Sequence, residues 1–492
     1  MSVNIQDTVE QIKIKEQLIK DLEHIQALLD WDQETGMPRN ASKDRARQMG
    51  MVQDLLTPHL QDDVWGVWLK ELGKSSEPDH QSWQRLLKRR YKENKVLPSD
   101  FMSRFVETTS LARDSWLKAR EADDFKLFSP SLEKIVDLLK ERCEYTGYKE
   151  EPYDALLDLY EPDMKASVLE PLFDSLQSEL TPMLDEILAG QDNRTVLTGR
   201  SFSSEFQKKI SLRVLKDMGY SLDSGRLDVS VHPFTTTLGS RDIRVTSAFI
   251  EDDLISGLSS TIHEGGHGLY EQNLPEKWHG TMVAEACSLG FHESQSRLWE
   301  NIVGRSEAFS RYLSPLISAS GGELFSTEDL YRDLNRVSRG LIRVDADEVS
   351  YNLHIILRFR LERMLINGDL KVSELPDLWN DELRRLLGVD NTSDRSGILQ
   401  DIHWSCGDMG YFPTYTLGNL YSAQLWNKLR TDVPDVDSQI EKGNFSGILN
   451  WLVQNVHSRG ALETSTELMT SVTGEPLKAS YFVEYLKRKY IK

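Results

Sequence analysis

Leu258-Ser-Ser-Thr-Ile-His263-Glu264-Gly265-Gly266-His267-Gly268-Leu269-Tyr270 contains the pattern H-E-x-x-H. On an α-helix, residues i and i+4 share a face, so His263 and His267 can both reach one ion. Glu264 then projects about 100° away. It stands beside the ion without competing as a ligand. Zinc held by three protein groups keeps a fourth position for water and lowers that water's pKa to about 7, and a neighbouring carboxylate can take the proton as the water attacks a carbonyl. With 11 histidines in the chain, the pattern would arise by chance in roughly two shuffled sequences in a hundred, so the glycines matter. Gly265 and Gly266 each cost about 1 kcal/mol in a helix interior. A helix approached closely by substrate or by a second helix has reason to carry that cost; a purely structural one does not.

A third ligand is required. The arrangement with a third histidine ten residues after the first is excluded, because that position is Asn273. Pro275 ends the first helical region, and a second helical stretch is predicted over 281–303, offering Glu285, Glu293 and Glu300. Glu293 shares a face with Ala286 and Gly290, small residues that would let two helices approach, and is the choice. Glu285 is second, Glu300 reads as solvated, and His292 reads as a hydrogen-bonding neighbour.

Working outward, helical periodicity dominates. Ile5, Val9, Ile12, Leu18, Leu22, Ile25 and Leu29 predict one long amphipathic helix ending near Asp30-Trp31-Asp32. Similar stretches cover 132–139, 168–188, 298–316, 349–365 and 481–490, with loop signals at 73–78, 190–193, 318–322 and 390–396. One region departs from this pattern. Leu227, Val229 and Val231, then Ile243, Val245 and Ser247, alternate with polar residues and predict a short strand pair or hairpin just before the H-E-x-x-H helix. With no repeat and no Pro- or Ser-rich linker, residues 1–492 read as one mostly α catalytic unit, with two lobes allowed around a cleft.

The 78 acidic residues exceed the 58 Lys and Arg by 20, which argues against nucleic acid or anionic membranes as partners. No apolar run approaches the roughly 18 residues of a membrane helix, and Met1-Ser-Val-Asn-Ile-Gln-Asp lacks a secretory pattern. Cys143, Cys287 and Cys406 are widely spaced and form no C-x-x-C, so a reducing, cytoplasmic setting is expected.

The chain resembles the carboxypeptidase Taq family of metallocarboxypeptidases nearly end to end. The resemblance rests on Trp31-Asp-Gln-Glu-Thr-Gly-Met37-Pro38, His232-Pro233-Phe234, Asp242-Ile-Arg244-Val-Thr246, His263-Glu-Gly-Gly-His267, His292-Glu293-Ser294-Gln295, Ile342-Arg343-Val-Asp-Ala346-Asp347 and Gly397-Ile-Leu-Gln400-Asp401-Ile-His403-Trp404. Gly290-Phe291-His292-Glu293 also looks like the third-ligand region of the angiotensin-converting enzyme group. The resemblance implies a mostly helical protein with a long, deep groove and one zinc ion at its floor. It also implies a homodimer, and release of single amino acids from peptide C-termini with broad tolerance. It carries over His263, His267 and Glu293 as ligands and Glu264 as base. Asp345 stands where the family more often has Glu, which keeps the charge. Dimerisation comes from the resemblance alone, because no heptad or exposed apolar stripe is visible in the sequence.

Recognition of a terminal carboxylate suits a bidentate Arg. Arg343 sits in an unusually apolar setting, with an ion pair to Asp345 or Asp347 as the structural alternative; Arg244 reads as pairing with Asp242. Ile243–Ser247 could be an edge strand that holds an extended peptide over the metal. His232, His403, Tyr411 and Tyr415 are candidate donors to the oxyanion, while Trp404 reads as packing. The donor set accepts cobalt as well as zinc. The rival readings are an oligopeptidase cutting internal bonds and a non-catalytic helical scaffold with a degenerate metal site.

Overall fold

The N-terminal helix runs from Ile5 to Thr35 in the computed structural model, which describes residues 5–98 and 100–491; the first four residues of the Met1–Asp7 segment lie outside the described residues. The predicted helix is present, but its apolar residues divide between two faces. Ile12 and Ile19 are buried, while Ile14, Leu18, Ile25 and Leu28 are exposed. The buried face packs in a separate N-terminal cluster with Trp65, Trp83 and Trp278. Glu16, also buried there, accepts from the Trp83 indole Nε1 at 2.7 Å and the Met282 amide at 3.1 Å, so the N-terminal helices are tied to the segment that follows the H-E-x-x-H helix. A second, much larger core holds the rest of the chain together.

The chain is mostly α-helical. The predicted stretches fall in helices Ser129–Thr146, Ala166–Gly190, Tyr351–Asn367 and Ser480–Tyr490. The stretch read as continuous over 298–316 is interrupted: a π-helical turn Leu298–Val303 ends at Gly304, and a new helix Glu307–Ala319 begins with Ser306 capping it.

The strand region forms a three-stranded sheet of order β1-β3-β2, with β1 Gly225–Val229, β2 Thr235–Gly239 and β3 Asp242–Ser247. The two segments read from alternation are neighbours, and they pair in parallel, Gly225 opposite Ile243 through Val229 opposite Ser247. The hairpin is instead β2–β3, with Thr235 opposite Val245. A run of threonines favours strand through β-branching but offers no apolar alternation, which hid β2. The order also corrects the edge assignment. Ile243–Ser247 is the central strand, bonded on both sides, and cannot add a peptide strand; the edges are β1 and β2.

Candidate metal centre

Helix Leu254–Gln272 carries His263, Glu264 and His267. The Asp253 side chain accepts from the Ser256 amide at 2.9 Å, capping its first turn. A Cβ added at Gly266 would lie 2.8 Å from the carbonyl oxygen of Gln295, and one at Gly265 would lie 2.4 Å from the Leu215 side chain. Glycine at 266 therefore lets the next helix, Leu289–Arg297, come into direct backbone contact. The small residue that permits this approach is Gly266 and not Gly290, which faces Glu161 and Leu417. From the other side, Gly418 lies against the Glu293 side chain, its would-be Cβ 2.5 Å from Cγ.

This packing brings His263, His267 and Glu293 together, with one donor atom from each within 4.8 Å of the others. Glu293 Oε2 lies 3.4 Å from His267 Nε2 and 3.7 Å from His263 Nε2. Ligands at about 2.0–2.2 Å from a tetrahedral ion stand roughly 3.3–3.6 Å apart, so the spacing fits a shared cation. The electrostatics fit as well. Burial and the neighbouring His292 push His267 down to about 3, so its imidazole is neutral and its lone pair available. Burial opposes charge on His263, but Glu293 and Glu300 outweigh it and raise its pKa. Burial likewise works against ionisation of Glu293, yet Arg297 and His263 hold its carboxyl well below the ordinary range. A neutral imidazole at 267 beside a carboxylate held ionised at 293 is the ligand chemistry a cation requires.

Glu285 and Glu300 fall where the sequence reading did not put them. Glu285 precedes the helix and pairs with Lys20, away from the histidines. Glu300 is not solvated: it is buried, and its Oε2 lies 2.8 Å from His263 Nδ1. Arg297 bridges the two acids, with Nε 2.6 Å from Glu293 Oε1 and Nη1 3.2 Å from Glu300 Oε2. An outer carboxylate on a ligating imidazole fixes ring orientation and raises its basicity. Glu293, Arg297 and Glu300 recur at i, i+4 and i+7, a single helix face, and that spacing was the signal available for both missed residues. His292 hydrogen-bonds as read, with Nε2 2.9 Å from Glu271 Oε1, and its ring stacks on His267 at 4.3 Å.

The cluster opens onto a cavity of about 810 Å³ lined in part by Thr235, Glu264, Arg297, Arg343, Tyr411 and Tyr415. Glu264 is buried, and its Oε2 accepts from Thr235 Oγ1 at 2.6 Å; burial raises its pKa. Arg343 pairs with neither Asp345 nor Asp347. Its Nε and Nη2 donate to Asp401 Oδ1 at 3.0 and 2.7 Å, and Nη1 donates to Tyr351 Oη at 2.8 Å. Asp401 also serves buried Arg358, so this network carries one surplus positive charge at the cavity wall. Arg244 is spent on Asp242 through two 2.8 Å contacts and lies over the Trp31 ring, as read. His232 is exposed and lies outside the cavity lining. His403 sits behind the wall, Nε2 3.3 Å from Tyr415 Oη, and burial pushes it down to about 4. Trp404 packs in the core, donating to Glu362 Oε1 at 2.7 Å.

A helical scaffold with H-E-x-x-H on one helix, a carboxylate on the next and a cavity above them defines a metallopeptidase. Residues 11–490 match the family described as Carboxypeptidase Taq (M32) metallopeptidase. The chain is 40% identical to thermostable carboxypeptidase 1 of Pyrococcus furiosus over 99% of both chains, and 39% identical to carboxypeptidase 1 of Bacillus subtilis over 96% of both. Its fold matches the M32 carboxypeptidase of Deinococcus radiodurans R1 with a TM-score of 0.96 at 36% identity, covering 98% of each chain. The chain belongs to the M32 carboxypeptidase family: it is a metallocarboxypeptidase, dependent on a divalent metal and acting on peptides.

Proposed function

We propose that His263, His267 and Glu293 hold one zinc ion per chain, and that Glu264 is the general base for removal of single residues, with broad tolerance, from peptide C-termini. The observation that carries this reading is the convergence of three donor atoms within 4.8 Å of one another beneath the cavity, with Glu293 Oε2 3.4 and 3.7 Å from the two imidazole nitrogens. Two imidazoles and a carboxylate suit zinc and accept cobalt. When bound, the ion supplies Lewis acidity, polarising the scissile carbonyl and making water more acidic. Glu264 takes the proton of the attacking water and passes it to the leaving nitrogen. Tyr411 and Tyr415 line the cavity, and burial pushes Tyr411 up to about 12, so its hydroxyl stays protonated. Tyr415 Oη lies 3.3 Å from His403 Nε2 and gives its hydrogen bond to the Tyr411 oxygen, so the Tyr411 O–H remains as the donor to the oxyanion. The surplus charge of the Arg343–Asp401–Arg358 network draws the terminal carboxylate, with Arg343 at the wall.

A defined peptide incubated with the enzyme and followed by mass should shorten one residue at a time from its C-terminus. Chelator should stop the ladder, and a C-terminally amidated peptide should resist. Internal fragments from the amidated peptide would favour the oligopeptidase reading instead.

We further propose a single catalytic unit over 1–492 that pairs as a homodimer in the cytoplasm, with its three cysteines as free thiols. Support for pairing comes from Ile14, Leu18, Ile25 and Leu28, all more than 40% exposed. They span about 80° of helix circumference, and two of them, Leu18 and Ile25, belong to the apolar periodicity that predicts the helix. Leu18→Glu should convert a dimer to a monomer in sedimentation. A natural chain that sediments as a monomer would overturn the pairing.

A further inference from the structure

The last turns of the chain reach the outer shell of the proposed metal centre. Glu348 is buried in the wall segment that begins at Arg343, and it also lines the cavity. Helix Ser480–Tyr490 supplies three hydrogen bonds to its carboxylate: Lys489 Nζ at 2.5 Å and Tyr490 Oη at 2.7 Å on Oε1, and Tyr485 Oη at 2.9 Å on Oε2. The same helix reaches the π-helical turn as well. Tyr485 Oη, its one proton shared with Glu348, lies 3.1 Å from the Asn301 carbonyl oxygen, and Lys489 Nζ donates to the same oxygen at 3.3 Å. Asn301 lies in the last turn of that segment, where carbonyls lack intrahelical donors. Its neighbour, Glu300, is the carboxylate on His263 Nδ1.

One cation and two phenols therefore fasten two separate walls: the turn that orients His263 and the segment that carries Arg343. Lys489 is 6% exposed and the Glu348 side chain fully buried. Burial drives the lysine down to about 8 while Glu348 opposes that fall. A buried pair of this kind is weak as a source of stability, since apolar replacements of similar volume often do as well. Its reach to both walls gives it a different use.

We propose that Lys489, Tyr485 and Tyr490 are positioning residues for catalysis: a C-terminal latch that sets the orientation of His263 through Asn301 and Glu300, and of Arg343 through Glu348. The inference rests on the metal-site reading above. Deleting an outer-shell partner typically costs 10–100-fold in metal affinity or activity, and one further layer out should cost about fivefold. Lys489→Met, checked for folding by circular dichroism, should release metal about fivefold faster and raise KM about fivefold, with Lys489→Arg recovering much of both. A purely structural role would lower the melting temperature and leave both unchanged. Tyr485→Phe/Tyr490→Phe keeps the rings, removes two hydroxyls and should shift the same two quantities in the same direction; it decides the matter if Lys489→Met fails to fold. Folded variants with metal release and KM equal to those of the natural chain overturn the latch. Metal binding by the natural chain is the separate control: if that chain binds no stoichiometric metal, the metal-site reading fails and the latch is judged on KM alone.

Discussion

Replacing Glu264 with glutamine should leave metal content unchanged and lower kcat on a peptide by on the order of 10²–10⁴-fold. The upper end is expected, because the same carboxylate serves both proton transfers, from water and to the leaving nitrogen. The substitution is conservative in every other respect. Glu264 Oε2 accepts from Thr235 Oγ1 at 2.6 Å, and an amide oxygen can accept there equally. The side chain keeps its volume in a buried position, and the change removes only the capacity to hold a proton. Glu264 is not among the three groups whose donor atoms converge, so elemental analysis should still find about one ion per chain. Turnover near that of the natural enzyme, with metal present, would remove Glu264 as the base. Loss of the metal would instead make it a ligand.

What the sequence revealed and what it hid follow from the range of the interactions involved. The H-E-x-x-H face is local, since a four-residue spacing on a helix fixes where both imidazoles point. The glycines between them were legible as a close approach, and the backbone of Gln295 and Ser296 is what approaches Gly266. Long helices were legible because periodicity accumulates, but the face of the N-terminal helix was not. That helix has apolar residues on both sides, and only tertiary packing selects Ile12 and Ile19 over Leu18 and Ile25. The third strand, Thr235–Gly239, lacked alternation, and without it the central strand looked like an edge. The partners of Arg343 could not be read from spacing. Asp401 lies 58 residues downstream, whereas Asp345 and Asp347 were merely near in sequence. Glu300 was misplaced for a different reason: a glutamate late in an amphipathic stretch is solvated by default, and that default outweighed its i+7 register with Glu293.

Glu293→Gln should weaken metal binding by well over the 10–100-fold expected of Glu300→Gln, and the order of the two defines which carboxylate is inner and which outer. The neutral amide at 293 replaces an anionic donor with a weak one at the point where His263 Nε2 and His267 Nε2 converge. It also removes the anion from Arg297, which lies 2.6 Å from Glu293 Oε1. Breaking a buried pair typically costs about 3–5 kcal/mol, but here Glu300 remains 3.2 Å from Arg297, and the Tyr351 ring lies 4.5 Å from the guanidinium. The loss of stability should therefore fall below that range, leaving a folded chain on which metal affinity can be measured. Glu300→Gln keeps all three converging donors and removes the anionic partner of His263 Nδ1, and with it the charge facing Arg297 and Arg305, so it should bind metal with reduced affinity and retain measurable turnover at saturating metal. Glu285→Gln, whose carboxylate pairs with Lys20, should leave affinity unchanged. Competition with a chelator of known affinity ranks the three variants. Equal losses at 293 and 300, or a larger loss at 300, would move the third ligand to Glu300 and make Glu293 the outer partner.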